Sequence, residues 1–320
     1  MGTENQDTRH LPSIKARGTV YSRFVRPSVI RSWASTARHR LAAGPGSEAS
    51  DSPKRELPIP PLEMRQLVGR TDERDFDNSS GAPVILGIDP GLYRSVMDFG
   101  CGCGRLARQL IQQRPRPERY EGIDLHPGMI AWCQENLASR AHGFTFHHHD
   151  VFYEAFNPGP DKPLWRPFPF GDGGFSLVIA LSVFTHLTQD QSERYLAEVA
   201  RVLAPDGLFV STFFVFDKRD FPMMQEAQNT LFINQFDVRN AVIYDRRWLS
   251  RAAGAAGLTI CTATPPQVRG FHWRIYMKPS GPGVEPVEIP EEVGERGNRP
   301  PPAMPAGAAR IGLQAPTTPR

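Results

Sequence analysis

Residues 96–105 read VMDFGCGCGR, a short apolar run that ends in an acid and then in three closely spaced glycines. This pattern is typical of a buried parallel strand that turns sharply into a helix. Glycine is needed in such a turn because it adopts backbone conformations that a Cβ atom forbids and lets a ligand approach the main chain. Residues 105–113 then have apolar side chains at helical spacing, so their first N–H groups would point back at that ligand. The stretch therefore predicts a site for a nucleotide-like cofactor.

The spacing of the glycines distinguishes between cofactors. A dinucleotide fingerprint reads G-x-G-x-x-G and seats a diphosphate on the helix N-terminus, whereas here Gly100, Gly102 and Gly104 alternate and Arg105 stands where a third fingerprint glycine would be. Asp98 would repel a pyrophosphate but suits a cationic ammonium group. S-adenosylmethionine has an amino-acid head and a sulfonium but no phosphate, so it fits better than NAD. The stretch resembles motif I of the class I S-adenosylmethionine-dependent methyltransferases, and an NAD oxidoreductase is a less favoured alternative.

A second acid follows the next predicted strand, residues 119–124. Asp124 ends this strand about 20 residues after the glycine turn, which is where a carboxylate accepts hydrogen bonds from a ribose diol in sites of this kind. We therefore predict that Asp124 binds the ribose, and we include the adjacent Leu125 in the cofactor site.

The resemblance continues through two later strands. The run 143–149 is followed by Asp150 and Val151, and an acid at this place commonly binds the adenine amino group in the family. Residues 175–187 then form an almost uninterrupted apolar run, as expected for a strand covered on both faces. By resemblance this is the motif IV strand, whose end lines the methionine and the methyl acceptor, and we include Leu181 there. The resemblance extends over roughly residues 60–278 and implies a methyltransferase that uses S-adenosylmethionine.

The order of elements predicts an α/β fold, a doubly wound and mostly parallel sheet with helices on both faces. The resemblance implies seven strands, the last of them antiparallel. We expect strands at 95–99, 119–124, 143–149, 175–182, 206–216, 258–264 and 270–277, and helices at 104–113, 127–140, 189–203 and 246–256.

The segment before the first strand, residues 61–91, is expected to form helical pieces that cover the mouth of the cofactor site. Similar bacterial methyltransferases carry an Arg-Val-Gly-Gly-like stretch there, and this chain has Val68-Gly69-Arg70.

Composition divides the chain into three parts. Residues 1–57 lack apolar periodicity and residues 279–320 are dominated by Pro, Gly, Ala and Glu, so we expect a disordered Arg-rich arm, a folded domain at 58–278 and a disordered tail. Between Arg9 and Arg40 there are eight Arg or Lys residues and no acid. That stretch is either a solvated arm or a segment that contacts a polyanion, a membrane surface or the domain itself. A transit peptide is a further alternative.

No apolar run approaches the roughly 20 residues that a membrane-spanning helix needs, and the N-terminus has no signal-peptide core. The four cysteines are too few and too scattered for a disulfide framework. We therefore expect a cytoplasmic protein.

His186 is the candidate general base. Methyl transfer needs mainly positioning and exclusion of water, but a hydroxyl acceptor must also lose its proton. His186 follows the motif IV strand at the edge where open α/β sheets bind ligands. The alternative is that residues 184–191 simply lead into a helix capped by Thr188, with Gln191 three residues later.

The run His147-His148-His149, together with Cys101 and Cys103 in the glycine turn, invites a metal site. Neighbouring residues on a strand point to opposite faces, so at most His147 and His149 share one. No spacing here matches a structural zinc site, and we predict no metal.

Two segments are candidates for acceptor recognition. They are the aromatic and Pro-rich residues 153–174 and the connection at 216–245, where Phe216, Phe221, Met223, Met224, Phe232 and Phe236 either line an apolar cleft or pack the flank of the domain. The motif IV position lacks the N/D-P-P-Y/F signature of amino-methylating nucleic-acid enzymes. We therefore expect a small-molecule acceptor, an oxygen of a sugar, a lipid-linked glycan or a secondary metabolite, and no nucleic acid. The alternative function is a catalytically silent scaffold that keeps the fold.

Overall fold

The computed structural model describes residues 57–234, 237–266 and 272–290. Residues 1–56 of the predicted N-terminal arm, Phe236 and most of the predicted tail lie outside these residues. Five α-helices are present in the described part of the chain: α1 Leu62–Leu67, α2 Arg105–Gln112, α3 Pro127–Asn136, α4 Gln189–Val202 and α5 Arg246–Ala255. The strands are β1 Ser95–Phe99, β2 Arg119–Asp124, β3 Phe144–His148, β4 Phe175–Ala180, β5 Leu203–Phe216, β6 Thr230–Phe232, β7 Val242–Asp245, β8 Leu258–Thr264 and β9 His272–Pro279.

One sheet contains all of these strands. The order along the sheet is β3-β2-β1-β4-β5-β7-β6, with β9 antiparallel to β5 and paired in turn with β8. Strands β3, β2, β1, β4 and β5 run parallel, so the mostly parallel α/β sheet with an antiparallel last strand is confirmed. All seven predicted strands and all four predicted helices form.

Strands β6 and β7 were not predicted. They form an antiparallel hairpin inside the connection 216–245, and β7 pairs with the last three residues of β5. Each is only three or four residues long, which is too short for an alternating pattern to be recognised in a sequence. As a result, the pairing along β5 continues past the first residue of β9 to the carboxyl end of β5.

The core has two layers, one on each face of the sheet, as a doubly wound fold requires. On β4, Val178 and Ala180 face the helices α4 and α5, while Leu177 and Ile179 face α2 and α3. All six residues of β4 are buried, which agrees with the expectation from its uninterrupted apolar run.

The segment before β1 is fastened to helix α2 by a buried arginine. Nη1 of Arg108 donates to the carbonyl oxygen of Phe76 at 2.6 Å, and Nη2 donates to that of Leu57 at 3.1 Å. Val68 and Phe76 then pack with Cys103 and Met129 beside the glycine turn. Short helical pieces therefore form in this segment, as the sequence predicted, and two of them pack beside the glycine turn.

The folded part extends past the boundary predicted at residue 278, so the start of the disordered tail at residue 279 is wrong. Ile289 is 2% exposed and packs in the core, and Val287 N donates to Ile260 O at 2.8 Å. Nη1 of Arg246 also donates to the carbonyl oxygen of Ile289 at 2.9 Å. Composition suggested disorder, but one apolar side chain and a few backbone bonds fix this segment.

His149 is buried in the aromatic layer between the sheet and α4. Its side chain packs against Phe99 and Phe168, and its Nε2 lies 2.8 Å from the hydroxyl oxygen of Tyr195. Burial lowers the pKa of His149 to about 4, and the positive charge of Arg166 acts in the same direction. The residue is therefore a neutral part of the core.

This burial makes the free energy of unfolding depend on pH. The pKa of His149 falls from 6.5 to about 4 on folding, so the unfolded chain binds the proton first. The contribution of the neutral His149 to the free energy of unfolding is complete above pH 6.5. It is lost as the pH falls towards 4, and the total loss is about 3 kcal/mol. We expect His149→Gln to remove this loss, as measured by urea unfolding at a series of pH values. Parallel curves for both proteins over this range would contradict the assignment.

Candidate cofactor and acceptor site

The glycine turn after β1 has the backbone conformation that its sequence predicts. Gly100, Gly102 and Gly104 have φ angles of 80°, 54° and 77°, in the left-handed region where other residues are strained. A Cβ atom on Gly100 would collide with the side chain of Val183, and one on Gly102 would lie 2.9 Å from Val68 Cγ1. The turn is thus packed between the segment before β1 and the loop after β4.

Asp124 joins this turn to the loop after β2. Its Oδ2 accepts a hydrogen bond from the backbone N–H of Gly102 and its Oδ1 accepts one from that of His126, both at 2.8 Å. Burial raises the pKa of Asp124, while these two bonds act in the opposite direction. Each carboxylate oxygen accepts up to two hydrogen bonds, so the side chain can hold the turn and still accept from a diol.

Asp98 lies on β1 next to this acid and is 3% exposed. The hydroxyl of Tyr120 donates to its Oδ2 at 2.7 Å. Burial raises the pKa of Asp98 to about 7, the bond from Tyr120 and the charge of Arg105 oppose the rise, and the charge of Asp124 adds to it. The two acids therefore interact electrostatically, and a cation near both would stabilise their charged forms.

Asp150 is held by the segment that follows it. Its Oδ1 accepts from Asn157 Nδ2 at 3.0 Å and pairs with Lys162 Nζ at 2.9 Å. Hydrogen bonds from Lys162 and then Asn157 lower the pKa of Asp150 to about 2, so it is ionised. Both contacts use Oδ1. The neighbouring Val151 is buried, and its carbonyl oxygen also accepts from Asn157 at 2.8 Å. The sequence analysis did not connect this segment with Asp150.

The other two predicted cofactor residues flank these acids. The carbonyl oxygen of Leu125 accepts from His148 Nε2 at 3.1 Å, which ties the loop after β2 to the end of β3. Leu181 is partly buried directly after β4 and packs on the core layer that faces α2 and α3.

His186 lies in a short helical turn, Phe184–His186, between β4 and α4. The capping box of Thr188 and Gln191 that the sequence indicated is present at the start of α4. His186 is therefore close to a helix start, yet its ring has a separate partner: Nδ1 lies 2.9 Å from the carbonyl oxygen of Arg239. A carbonyl oxygen only accepts, so the proton is on Nδ1 and Nε2 carries the lone pair. Burial lowers the pKa of His186, which keeps the imidazole neutral near pH 7.

Two further polar side chains at this edge were missed by the sequence analysis. Ser182 has a φ of 60°, and its Oγ lies 3.4 Å from Nε2 of His272. Burial lowers the pKa of His272, and the charge of His186 acts in the same direction. We refer to Ser182, His186 and His272 as the edge cluster. His272 could have been identified from its place in the predicted last strand, because the first residues of an antiparallel last strand lie where the parallel strands end.

The three consecutive histidines have three separate partners. His147 Nε2 lies 2.7 Å from Glu121 Oε2, His148 contacts Leu125, and His149 contacts Tyr195. Burial raises the pKa of Cys101 and of Cys103, so these thiols are protonated. Within residues 57–234, 237–266 and 272–290, no three His, Cys, Asp or Glu side chains are grouped as metal ligands. In the same part of the chain no helix is long and apolar enough to cross a bilayer.

An open cleft of about 460 Å³ lies beside the start of α5, and none of the predicted cofactor residues lines it. Its cations include Lys218, whose ammonium binds the carbonyl oxygens of Gln225 and Glu226 at 2.9 and 2.8 Å. These contacts stabilise the loop after β5.

Comparisons with known proteins agree with this geometry. Residues 96–207 match the family model described as a methyltransferase domain. A malonyl-[acyl-carrier protein] O-methyltransferase from Geobacter sulfurreducens is 32% identical over 128 residues, which are 40% of this chain and 40% of that protein. A ribosomal RNA small subunit methyltransferase C from Shewanella oneidensis is 29% identical over 143 residues, 45% of this chain and 37% of that protein. The chain thus spans about 40% of the length of these relatives.

A solved S-adenosylmethionine-dependent methyltransferase from Clostridium acetobutylicum aligns with a TM-score of 0.42 and 12% identity, over 59% of this chain and 85% of that one. Residues 96–207 therefore match a methyltransferase domain, which supports the resemblance to class I S-adenosylmethionine-dependent methyltransferases that the motifs indicated. S-adenosylmethionine is the cofactor of this family.

The residues present fit this cofactor. Three positions of the turn have no side chain, so a ligand can approach the main chain. Each oxygen of Asp124 keeps acceptor capacity, and a cation would favour the ionised form of the buried Asp98. Each of these features matches a ribose diol or an amino-acid head, and the two acids that interact there would repel a diphosphate.

The role of Asp124 can be tested by substitution. We expect Asp124→Ala to weaken binding of S-adenosylhomocysteine by on the order of 1.5–3 kcal/mol, because a charged acceptor is lost. Isothermal titration calorimetry measures this affinity, and Asp206→Ala, at an exposed position near the start of β5, is the control. The unliganded variant should also unfold at a lower temperature, since Gly102 and His126 lose their acceptor. An unchanged affinity would show that Asp124 does not contact the ribose.

Proposed function

We propose that this protein transfers a methyl group from S-adenosylmethionine to an oxygen atom of a small molecule. Asp98, Gly100, Gly102 and Gly104 would hold the methionine part. Asp124 and Leu125 would hold the ribose, Asp150 and Val151 the adenine, and Leu181 would lie where the cofactor meets the acceptor. The observation that carries the proposal is the neutral imidazole of His186, whose basic nitrogen is defined by the bond from Nδ1 to Arg239.

The cofactor supplies an activated methyl group on a sulfonium, so the chain has only to bind, orient and deprotonate. Positioning of two reactants contributes much of the rate of such a transfer, and exclusion of water protects it. In this proposal Nε2 of His186 accepts the proton of the acceptor hydroxyl as the new bond forms. Because burial lowers the pKa of His186, the base is already unprotonated at neutral pH.

The edge cluster supports an oxygen acceptor. Ser182 Oγ lies 3.4 Å from Nε2 of His272, and His272 interacts electrostatically with His186. In this proposal the hydroxyl and the second imidazole would orient a hydroxylated molecule by hydrogen bonding. The strand end reads Ala180-Leu181-Ser182-Val183, without the signature of amino-methylating nucleic-acid enzymes. One relative is named as an O-methyltransferase and another as a ribosomal RNA methyltransferase. The strand end favours the first of these chemistries.

The experiment that tests this function uses tritiated S-adenosylmethionine. The protein is incubated in parallel with a metabolite extract freed of macromolecules and with ribosomal RNA, and the labelled product is identified. We expect the label in a small molecule and an ester or ether methyl group in the product. Label confined to RNA would overturn the acceptor class, and binding of S-adenosylhomocysteine without any transfer would favour a scaffold.

His186→Asn provides a second test. The asparagine amide can still donate to the Arg239 carbonyl but cannot act as a base. We expect the rate of methyl transfer to fall by about 10²–10⁴, with the affinity for S-adenosylhomocysteine changed by less than about twofold. The wild-type rate should also fall as the pH drops through the lowered pKa of His186. His142→Asn, at an exposed histidine, is the matched control, and an equal effect in both variants would contradict the assignment.

A further inference from the structure

Arg239 connects two segments of the chain, the connection between β6 and β7 and the segment that follows β3. It lies in the connection between β6 and β7, and its guanidinium contacts the segment that follows β3. Nη1 donates to the carbonyl oxygen of Phe152 at 3.1 Å, and the guanidinium carbon lies 5.2 Å from the ring of Phe152 and 4.8 Å from the ring of Tyr153. One side chain therefore makes a hydrogen bond and two cation–π contacts with the opposite segment.

The backbone of the same residue holds His186. The carbonyl oxygen of Arg239 accepts from Nδ1 of His186 at 2.9 Å, while its N–H donates to Asp237 Oδ1 at 3.2 Å. Asn240 N also donates to Asp237 O at 3.0 Å, which closes the turn on the other side. The peptide that fixes the imidazole is thus part of a tight turn whose side chain is anchored elsewhere.

The contacts continue from Tyr153 to the predicted ribose site. Tyr153 stacks on Phe156 with ring centroids 5.5 Å apart, and Phe156 packs on the ring of His126 at 6.1 Å. The backbone N–H of His126 binds Asp124. A continuous set of packed groups therefore extends from Asp124, through the aromatic pair, to Arg239.

We propose that Arg239 is a positioning residue that fixes the tautomer and orientation of His186 relative to the cofactor side of the site. This inference rests on the proposed role of His186 as the base. Arginine suits the task because its planar group lies on aromatic faces and donates to a carbonyl at the same time, which an ammonium group does less well. Without the guanidinium, the turn that carries the carbonyl oxygen loses its attachment to Phe152 and Tyr153. The preference of His186 for a proton on Nδ1 then weakens.

The chain offers a matched control for a purely structural effect. The guanidinium carbon of Arg194, on α4, lies 4.8 Å from the ring of Trp165, which belongs to the same segment as Tyr153. Arg194→Met removes a cation–π contact to this segment without a contact to His186. Arg239→Met removes the contacts that we assign to positioning, and Arg239→Lys keeps the charge but loses the planar group.

The test is ¹⁵N NMR of histidine-labelled full-length protein, with His186 assigned from His186→Asn. In the wild type we expect at least about tenfold more of the tautomer with the proton on Nδ1, since one hydrogen bond favours it. Arg239→Met should reduce this ratio at least threefold, Arg239→Lys should restore part of it, and Arg194→Met should leave it unchanged. A wild-type ratio in Arg239→Met, or an equal loss in Arg194→Met, would overturn the proposal.

The same samples separate this inference from the proposed function. Addition of S-adenosylhomocysteine should shift the ¹⁵N signals of His186 in the wild type and shift them less in Arg239→Met. If S-adenosylhomocysteine does not bind at all, the proposed function fails, while the tautomer ratios still decide whether Arg239 positions His186.

Discussion

The carboxylate of Asp124 connects the loop after β1 to the loop after β2, and the shape of the site depends on this connection. The glycine turn needs three residues with positive φ, which is a costly conformation for a chain that loses backbone freedom on folding. A charged acceptor on the N–H of Gly102 offsets part of that cost. The same carboxylate binds His126 at the start of α3, so the turn, the strand end and the helix start form one unit.

The second acid of the site, Asp98, is in surroundings that disfavour its charged form. Asp98 is buried close to Asp124, so its ionisation is opposed by both burial and a like charge, and its pKa rises to about 7. Tyr120 stabilises the charged form only in part. A cationic group near the two acids would favour their charged forms, whereas a diphosphate would add to the repulsion. The electrostatics of these acids thus argue for a cationic ligand, independently of the glycine pattern.

Sequence reasoning reached the elements that local patterns specify. The glycine turn predicted its own backbone conformation, the apolar run of β4 predicted burial on both faces, and Thr188 with Gln191 predicted a helix start. It missed β6 and β7, which are too short to show a period, and it missed the burial of Ile289, which depends on a single side chain. It also missed the partners of Asp150 and His186. Arg239 is 53 residues away from His186, and the partners of Asp150 lie in a loop that folds back on it, so no local pattern encodes these contacts.

The predicted residues lie mainly on the cofactor side of the site, and the missed residues lie mainly on the acceptor side. The acids and glycines of the cofactor side lie within residues 96–207, the part that matches the methyltransferase family. Arg239 contacts His186 and His272 contacts Ser182, and both Arg239 and His272 lie beyond that match. The matched part of the chain therefore contains the residues that we propose for S-adenosylmethionine, whereas the proposal for the acceptor rests on the edge cluster and the segments around it. Our proposal of a hydroxyl-bearing acceptor follows from the neutral imidazole, because a hydroxyl has to lose its proton as the new bond forms, whereas a neutral amine is nucleophilic before it loses a proton and gains less from a base.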